Sequence, residues 1–154
     1  MAFPGFGPVT TLLQVRLDAY AELHPRAREL SNLDFLAFKR AGGPEKRLAA
    51  FRERLGLPVG ALRAKSLEEA FRRYYRRGQN SASLVAYGEL LGELVAGRLL
   101  NKKHTALLLG LMEKVTTGEN RLKAGFPPGV RIAQKTGTQI GRICNVGVVN
   151  PPPR

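Results

Sequence analysis

The chain has 154 residues, the length of one domain or of part of a larger one. Its 44% hydrophobic content excludes a disordered chain, and the single cysteine, Cys144, excludes an internal disulfide. No apolar run is long enough to span a membrane, and the net charge of +13 is compatible with an anionic partner such as nucleic acid or an acidic surface.

The first half of the chain predicts a flexible lead-in followed by three helices. Residues 1–9 are rich in glycine and proline, and they contain no basic region followed by an apolar one, so no signal peptide is predicted. The helical pattern that follows is interrupted by a proline at position 25 and by a glycine pair at 42–43. We expect Leu33, Leu36 and Ala37 to face inward from the second helix. The three predicted helices cover about residues 11–23, 31–42 and 44–56.

Three further helices are predicted over about residues 66–78, 84–98 and 101–115. Ser66 with Glu69 matches a capping box, and Leu84 starts an apolar stripe at helical spacing on the fifth helix. Leu107 is among the residues expected inside on the sixth. The helices together predict a helical lobe over residues 10–117.

The fourth helix ends in four arginines beside two tyrosines, an arrangement that binds phosphates and stacks on bases in some nucleic-acid-binding proteins. The simpler interpretation is a solvated helix end, whose cations interact favourably with the negative pole of the helix dipole. A small basic nucleic-acid-binding protein is therefore the alternative function, and we favour the solvated helix end. The residues concerned are Arg72, Arg73, Arg76 and Arg77.

The last part of the chain, residues 129–149, predicts an antiparallel hairpin. Apolar and polar residues alternate over 130–136, Gln139-Ile140-Gly141 forms a turn, and Arg142–Val149 alternates again. We expect the apolar residues of both strands to form one face. The first strand ends in Lys135-Thr136-Gly137-Thr138, where an ammonium, hydroxyls and a glycine without a Cβ atom come together. Such donors suit a carboxylate ligand.

This tetrapeptide resembles the Lys-Thr-Gly box of class A β-lactamases and penicillin-binding proteins. The preceding passage, residues 117–129, resembles the loop that leads into the box strand, and Gly42-Gly43-Pro44 resembles that family's Gly-Gly-Pro helix. The resemblance extends thinly over residues 35–149 and is dense from about 105 onwards. It implies a β-lactam or a peptidoglycan-peptide-like substrate, no cofactor and no metal. It also implies an extracytoplasmic location, which the predicted lack of a signal peptide does not match, so the location stays undetermined.

By the same resemblance, Lys135 attracts the substrate carboxylate, Thr136 donates a hydrogen bond to it, Gly137 gives access, and the backbone N–H of Thr138 contributes to an oxyanion hole. The family's nucleophilic motifs are missing, because the chain contains no Ser-x-x-Lys and no Ser-x-Asn. Neither histidine, His24 or His104, is patterned with a serine and a carboxylate for a triad. We therefore assign no catalytic residue and expect a β-lactam hydrolase-like chain that is inactive alone.

The expected fold class is α+β: a helical lobe followed by an antiparallel hairpin, as an incomplete β-lactamase-like fold over residues 10–154. A lone hairpin is marginally stable and leaves strand edges unpaired. The chain is therefore expected to be a fragment or degenerate member of the family, with a sheet that other strands complete. Self-association through the hairpin is one way to provide them.

Overall fold

The computed structural model describes residues 4, 5, 7 and 10–152, and it has six α-helices and one two-stranded antiparallel sheet within them. The α+β class and the order of the elements are as the sequence predicted. Most of the predicted lead-in lies outside the described residues. The helices are α1 Leu12–Ala21, α2 Asn32–Ala41, α3 Pro44–Arg54, α4 Leu67–Tyr75, α5 Leu84–Val95 and α6 Lys102–Glu113, and the strands are β1 Ile132–Gln139 and β2 Arg142–Val149.

The helices begin at polar residues whose side chains accept a hydrogen bond from a backbone N–H three residues on. Only α3 starts differently, with Pro44 at its first position after Gly43. Ser31 and Asp34 form a reciprocal capping box, in which each side chain accepts a hydrogen bond from the backbone N–H of the other residue. Both of these N–H groups lack a partner within the helix. At α4, Glu69 accepts instead from the backbone N–H of Lys65 at 2.8 Å. The remaining side-chain caps are Thr11, Ser66, Ser83 and Asn101.

The chain divides into two compact units, which we call the N-terminal unit, Phe6–Ser81, and the C-terminal unit, Met1–Gly5 with Ala82–Arg154. The boundary falls within the helical lobe that the sequence predicted as one body. The N-terminal unit contains α1–α4, and its core is a cluster of aromatic rings with centroids 5.1–6.1 Å apart. These rings belong to Tyr20, Phe35, Phe38, Phe51 and Phe71.

The C-terminal unit contains α5, α6 and the hairpin. Its buried cluster consists of Leu94, Leu109, Met112 and Ala133, with Leu91 and Val148 packed against it. Ala133 and Val148 are opposite each other in the sheet, so one face of the hairpin packs on the two helices. This packing places the strand that carries the Lys-Thr-Gly box beside α6.

Several predicted inward faces were wrong. On α2, Leu33 is 77% exposed and Leu36 is 41% exposed, while Phe35 and Phe38 are buried. The larger aromatic rings bury more apolar area on their own side of the helix, and that side faces the core. Leu84 on α5 and Leu107 on α6 are exposed in the same way, and Ala37 is exposed as well.

The single apolar face predicted for the hairpin was also wrong. Val146 and Val148 lie on the face that packs on α5 and α6, but Ile132 and Ile143 lie on the opposite face. Successive side chains of a strand alternate between faces, and Ile143 is an odd number of positions from Val146.

None of the helices that the structure describes has the length and apolar content needed to cross a lipid bilayer.

Candidate functional site

The backbone of β1 exposes hydrogen-bonding groups at the Lys-Thr-Gly box. The backbone N–H of Asn150 donates to the carbonyl of Arg131 at 2.8 Å, which makes those two residues a hydrogen-bonded pair of the ladder. Such pairs alternate with non-bonded pairs in antiparallel sheets. By the observed register, two pairs of opposite residues are non-hydrogen-bonded: Thr136 with Asn145, and Thr138 with Ile143. Their backbone N–H and C=O groups therefore point away from β2, toward the open side of β1.

The side chains of the box divide between the two faces of the hairpin. Lys135 shares a face with Val146 and lines a cavity with residues of α5 and α6. Thr136 and Thr138 lie on the opposite face, as strand alternation requires. The Lys135 ammonium reaches back to the open edge, where it donates a hydrogen bond to the carbonyl of Thr136. The ammonium and the hydroxyls thus approach one another only around this edge.

On the face that carries the threonines, the turn after α6 supplies a polar cluster. The hydroxyls of Thr117 and Thr136 share a hydrogen bond of 2.7 Å. Gln134, which is fully buried, donates to the Thr117 carbonyl at 3.2 Å and accepts from Asn145 at 3.2 Å. These bonds tie the turn to both strands and orient the Thr136 hydroxyl.

Arg121 joins this cluster, although the sequence reasoning gave it no role. Its Nη2 lies 3.5 Å from Thr138 Oγ1, at the outer limit of a hydrogen bond. Its Nη1 is buried and has no hydrogen-bond partner among the described residues. Buried guanidinium N–H groups nearly always have an acceptor, so a guanidinium with one unmatched nitrogen and one weak contact suits an anion. The available signal was its position inside the passage that resembles the family's box-leading loop.

Two glycines allow the close approaches in this site. Gly118 has a φ of +68°, and a Cβ atom there would lie 2.8 Å from Thr136 Cγ2. A Cβ atom at Gly137 would lie 2.6 Å from the sulfur of Cys144 on β2. Gly118 therefore needs glycine for both its φ and its contact, whereas at Gly137 the exposed Cys144 side chain would have to rotate away to admit a Cβ atom.

The serines of this chain are all occupied locally. Ser31, Ser66 and Ser83 cap helices, and the Ser81 hydroxyl donates to the carbonyl of Gly78 at 2.6 Å. His24 accepts from the backbone N–H of Arg26, and His104 is exposed. The Ser31 hydroxyl donates to the Asp34 carboxylate at 2.8 Å within the capping box, and no histidine or lysine side chain is hydrogen-bonded to a serine hydroxyl among the described residues. The part of the chain that the structure describes contains no cluster of three or more metal-ligating side chains.

The arginines at the end of α4 are partly neutralised. Arg73 pairs with Glu69 at 2.6 Å, and Arg77 pairs with Glu22. Arg72 and Arg76 are exposed. Two of the four arginines are thus paired with carboxylates of the N-terminal unit.

Comparison with known proteins identifies the family of this chain. The model of a family described as the beta-lactamase enzyme family matches residues 38–154, which is more than half of the chain. The chain therefore belongs to the beta-lactamase enzyme family. Beta-lactamases of Mycobacterium tuberculosis and Mycobacterium bovis are each 41% identical to it over 64 residues. That match covers 41% of this chain and 21% of each relative.

Two solved structures are also similar. The chain is 25% identical to a beta-lactamase from Chitinophaga pinensis, with a TM-score of 0.46, and covers 51% of it. It is 24% identical to the TLA-1 extended-spectrum beta-lactamase, also with a TM-score of 0.46, and covers 50% of that chain. These matches span 91% and 90% of this chain. The chain spans about half the length of these solved proteins.

Proposed function

We propose that this chain supplies the anion- and carbonyl-binding side of a β-lactam-recognising site. The open edge of β1 carries the proposal, because the N–H of Thr138 points outward there and the hydroxyl of the same residue lies 3.5 Å from Nη2 of Arg121, whose Nη1 has no partner among the described residues. The ligand is a β-lactam or a similar peptide with a carboxylate. Its carbonyl oxygen accepts from the Thr138 amide, and its carboxylate interacts with Thr136, Arg121 and Lys135.

The physical basis is the placement of donors where negative charge lies or develops. A fixed backbone N–H and a guanidinium need no reorganisation to receive an oxyanion or a carboxylate. Lys135 adds a point charge, and Gly137 lets the ligand approach the strand closely. Because none of the four serines stands in a Ser-x-x-Lys motif and each caps a helix or a turn, we propose that this chain binds such ligands without being acylated.

Titration with benzylpenicillin, followed by backbone-amide NMR, tests the binding. The Thr138 and Gly137 amides should shift in a saturable manner, and Arg121→Gln should weaken binding about tenfold, as expected for loss of a charge-assisted hydrogen bond. Arg98→Gln is the matched control, because Arg98 is exposed and pairs with Glu93. Unchanged β1 amides at millimolar penicillin, or equal effects of the two variants, would contradict the proposal.

Intact mass spectrometry after incubation with the same penicillin tests the absence of acylation. We expect only the unmodified mass. A stoichiometric serine-linked adduct would mean that one of the four capping or turn serines acts as a nucleophile, and the non-covalent proposal would then fail.

We also propose that the open edges of the hairpin lead the isolated chain to self-associate. The outward N–H and C=O groups of β1 can pair with a strand from a second copy. Light scattering over a concentration series should show growing assemblies. A monomer at high concentration, with slow hydrogen exchange throughout 132–149, would show that the edges are protected within one chain.

A further inference from the structure

A cavity of about 390 Å³ opens on the face of the hairpin that carries Lys135. It lies within the C-terminal unit, where residues of α5, α6 and both strands line it and one side is open to solvent. It is separate from the polar cluster of Thr117, Thr136 and Arg121, which occupies the opposite face. The residues that line it include Leu91, Leu94, Leu108, Met112, Lys135 and Val146.

The cavity has the composition of a ligand site. Small-molecule pockets commonly have about 300–1,000 Å³ and apolar walls with a few placed polar groups. Here the walls are formed by leucines, a methionine, a valine and Tyr87. Leu99 and Leu100 at the rim remain 40% and 39% exposed. Covering such surface with an apolar group is favourable because apolar area is removed from water.

The charge of the cavity identifies the polar end of its ligand. Lys135 is the one charged side chain among the described residues that line it. Its ammonium donates a hydrogen bond to the carbonyl of the next residue, Thr136. A neutral carbonyl is a weaker partner for an ammonium than a carboxylate is. No acidic side chain of the described lining competes for it.

We propose that this cavity binds an amphiphilic carboxylate, with the carboxylate on Lys135 and the apolar body between α5 and α6. The inference does not rest on the proposed function, because it uses the opposite face of the hairpin. The two ligands share only Lys135, so an amphiphilic carboxylate should compete with a β-lactam for this ammonium.

Calorimetric titration with dodecanoate, below its micellar concentration, tests the proposal on the full chain. Dodecanol is the matched neutral probe. Dodecanoate should bind one site about tenfold more tightly than dodecanol, the factor expected when an ammonium meets a charged rather than a neutral acceptor. Lys135→Met should abolish this difference while dodecanol binding persists.

Two aspartate substitutions on α6 locate the site. Leu108 lines the cavity at its rim and is 37% exposed, whereas its neighbour Leu107 is 57% exposed and does not line it. Leu108→Asp should weaken dodecanoate binding at least tenfold by placing a like charge and a polar group in the cavity, and Leu107→Asp should leave it unchanged. Circular dichroism verifies that both variants fold.

The outcomes separate this inference from the proposed function. Arg121→Gln should leave dodecanoate binding intact while it weakens benzylpenicillin binding. Equal affinity for dodecanoate and dodecanol, or equal effects of the two aspartate variants, would overturn the proposal. Light scattering that shows a dimer dissociating as dodecanoate binds would also overturn it, because a second copy would then occupy the cavity of the free protein.

Discussion

The two units differ in how completely each closes its apolar core. In the N-terminal unit, aromatic rings from three helices and a tyrosine of α1 pack together, and Phe51 has no exposed surface. The C-terminal unit buries a thinner cluster around Leu94. Of the large apolar side chains exposed among the described residues, nine lie in the C-terminal unit: Leu84, Val85, Leu99, Leu100, Leu107, Leu108, Leu111, Ile143 and Val149.

The larger exposed apolar surface of the C-terminal unit makes that unit the better candidate for binding other molecules. A closed aromatic core needs nothing more to be stable, whereas large exposed apolar surface in a folded protein usually marks an interaction site. The same unit has the open edge of β1, the unmatched Nη1 of Arg121 and the cavity beside Lys135. We therefore propose that the C-terminal unit carries the recognition site and that the N-terminal unit supports it.

The largest test of this comparison removes a core side chain from each unit. Phe51→Ala should lower the free energy of unfolding by about 3–5 kcal/mol, because a fully buried ring leaves a cavity in close-packed surroundings. Leu94→Ala should cost about 2–3 kcal/mol, since its neighbours Leu91 and Val148 are only partly buried. Urea unfolding followed by circular dichroism measures both.

Leu33→Ala is the control for those variants, because Leu33 is 77% exposed and its loss should change stability by less than about 0.5 kcal/mol. If Leu94→Ala costs as much as Phe51→Ala, the C-terminal unit is as tightly packed as the N-terminal one and the comparison fails.

A second test separates backbone strain from the contact that builds the site. Gly97 and Gly118 both have positive φ, at +72° and +68°, but a Cβ atom meets nothing within 4 Å at Gly97 and meets Thr136 at Gly118. Alanine in this conformation costs about 1–2 kcal/mol. Gly118→Ala should cost more than Gly97→Ala and should also shift the Thr136 amide resonance. Equal costs with an unchanged Thr136 resonance would mean that the turn does not hold this residue.

The third test uses pH and concerns the N-terminal core alone. Burial raises the pKa of Tyr20 to about 12. An unfolded tyrosine ionises near pH 10, so this contribution to stability is complete below about pH 10 and is lost as pH rises through 12. Stability should fall over this window in the wild type and fall less in Tyr20→Phe.

Denaturant midpoints between pH 8 and 12 measure that difference. Tyr87→Phe in the C-terminal unit is the control and should retain the wild-type alkaline loss. A Tyr20→Phe variant that loses stability as steeply as the wild type would show that another group governs the alkaline transition.

The smallest effect is expected for the exposed arginines of the N-terminal unit. If Arg72 and Arg76 form only a solvated helix end, changing both to Gln should reduce weak DNA retention no more than changing Arg98 and Lys102 does. Retention over a salt series measures this. A larger loss with a clearly shallower salt slope would favour the nucleic-acid alternative.

Local chemistry determined the parts of this fold that the sequence predicted well. A side-chain cap and its backbone partner are three residues apart, so the predicted starts of the helices could be read from short stretches, and the structure confirms them. The span of β2 was predicted correctly because alternation and flanking turn residues are also local. Family membership followed from such short motifs as well, through the Lys-Thr-Gly box and the passage before it.

Only the tertiary structure decided which sides of these elements are buried. Leu33 and Phe35 lie on one helix, and helical periodicity alone allowed either side to face the core. The site shows the same limit. Strand position brought Thr136 and Thr138 to one face, but Arg121 reaches them because the turn after α6 folds back on the hairpin through Gln134. Both contacts join residues 17 positions apart, so they depend on how the elements pack, and no local pattern specifies that packing.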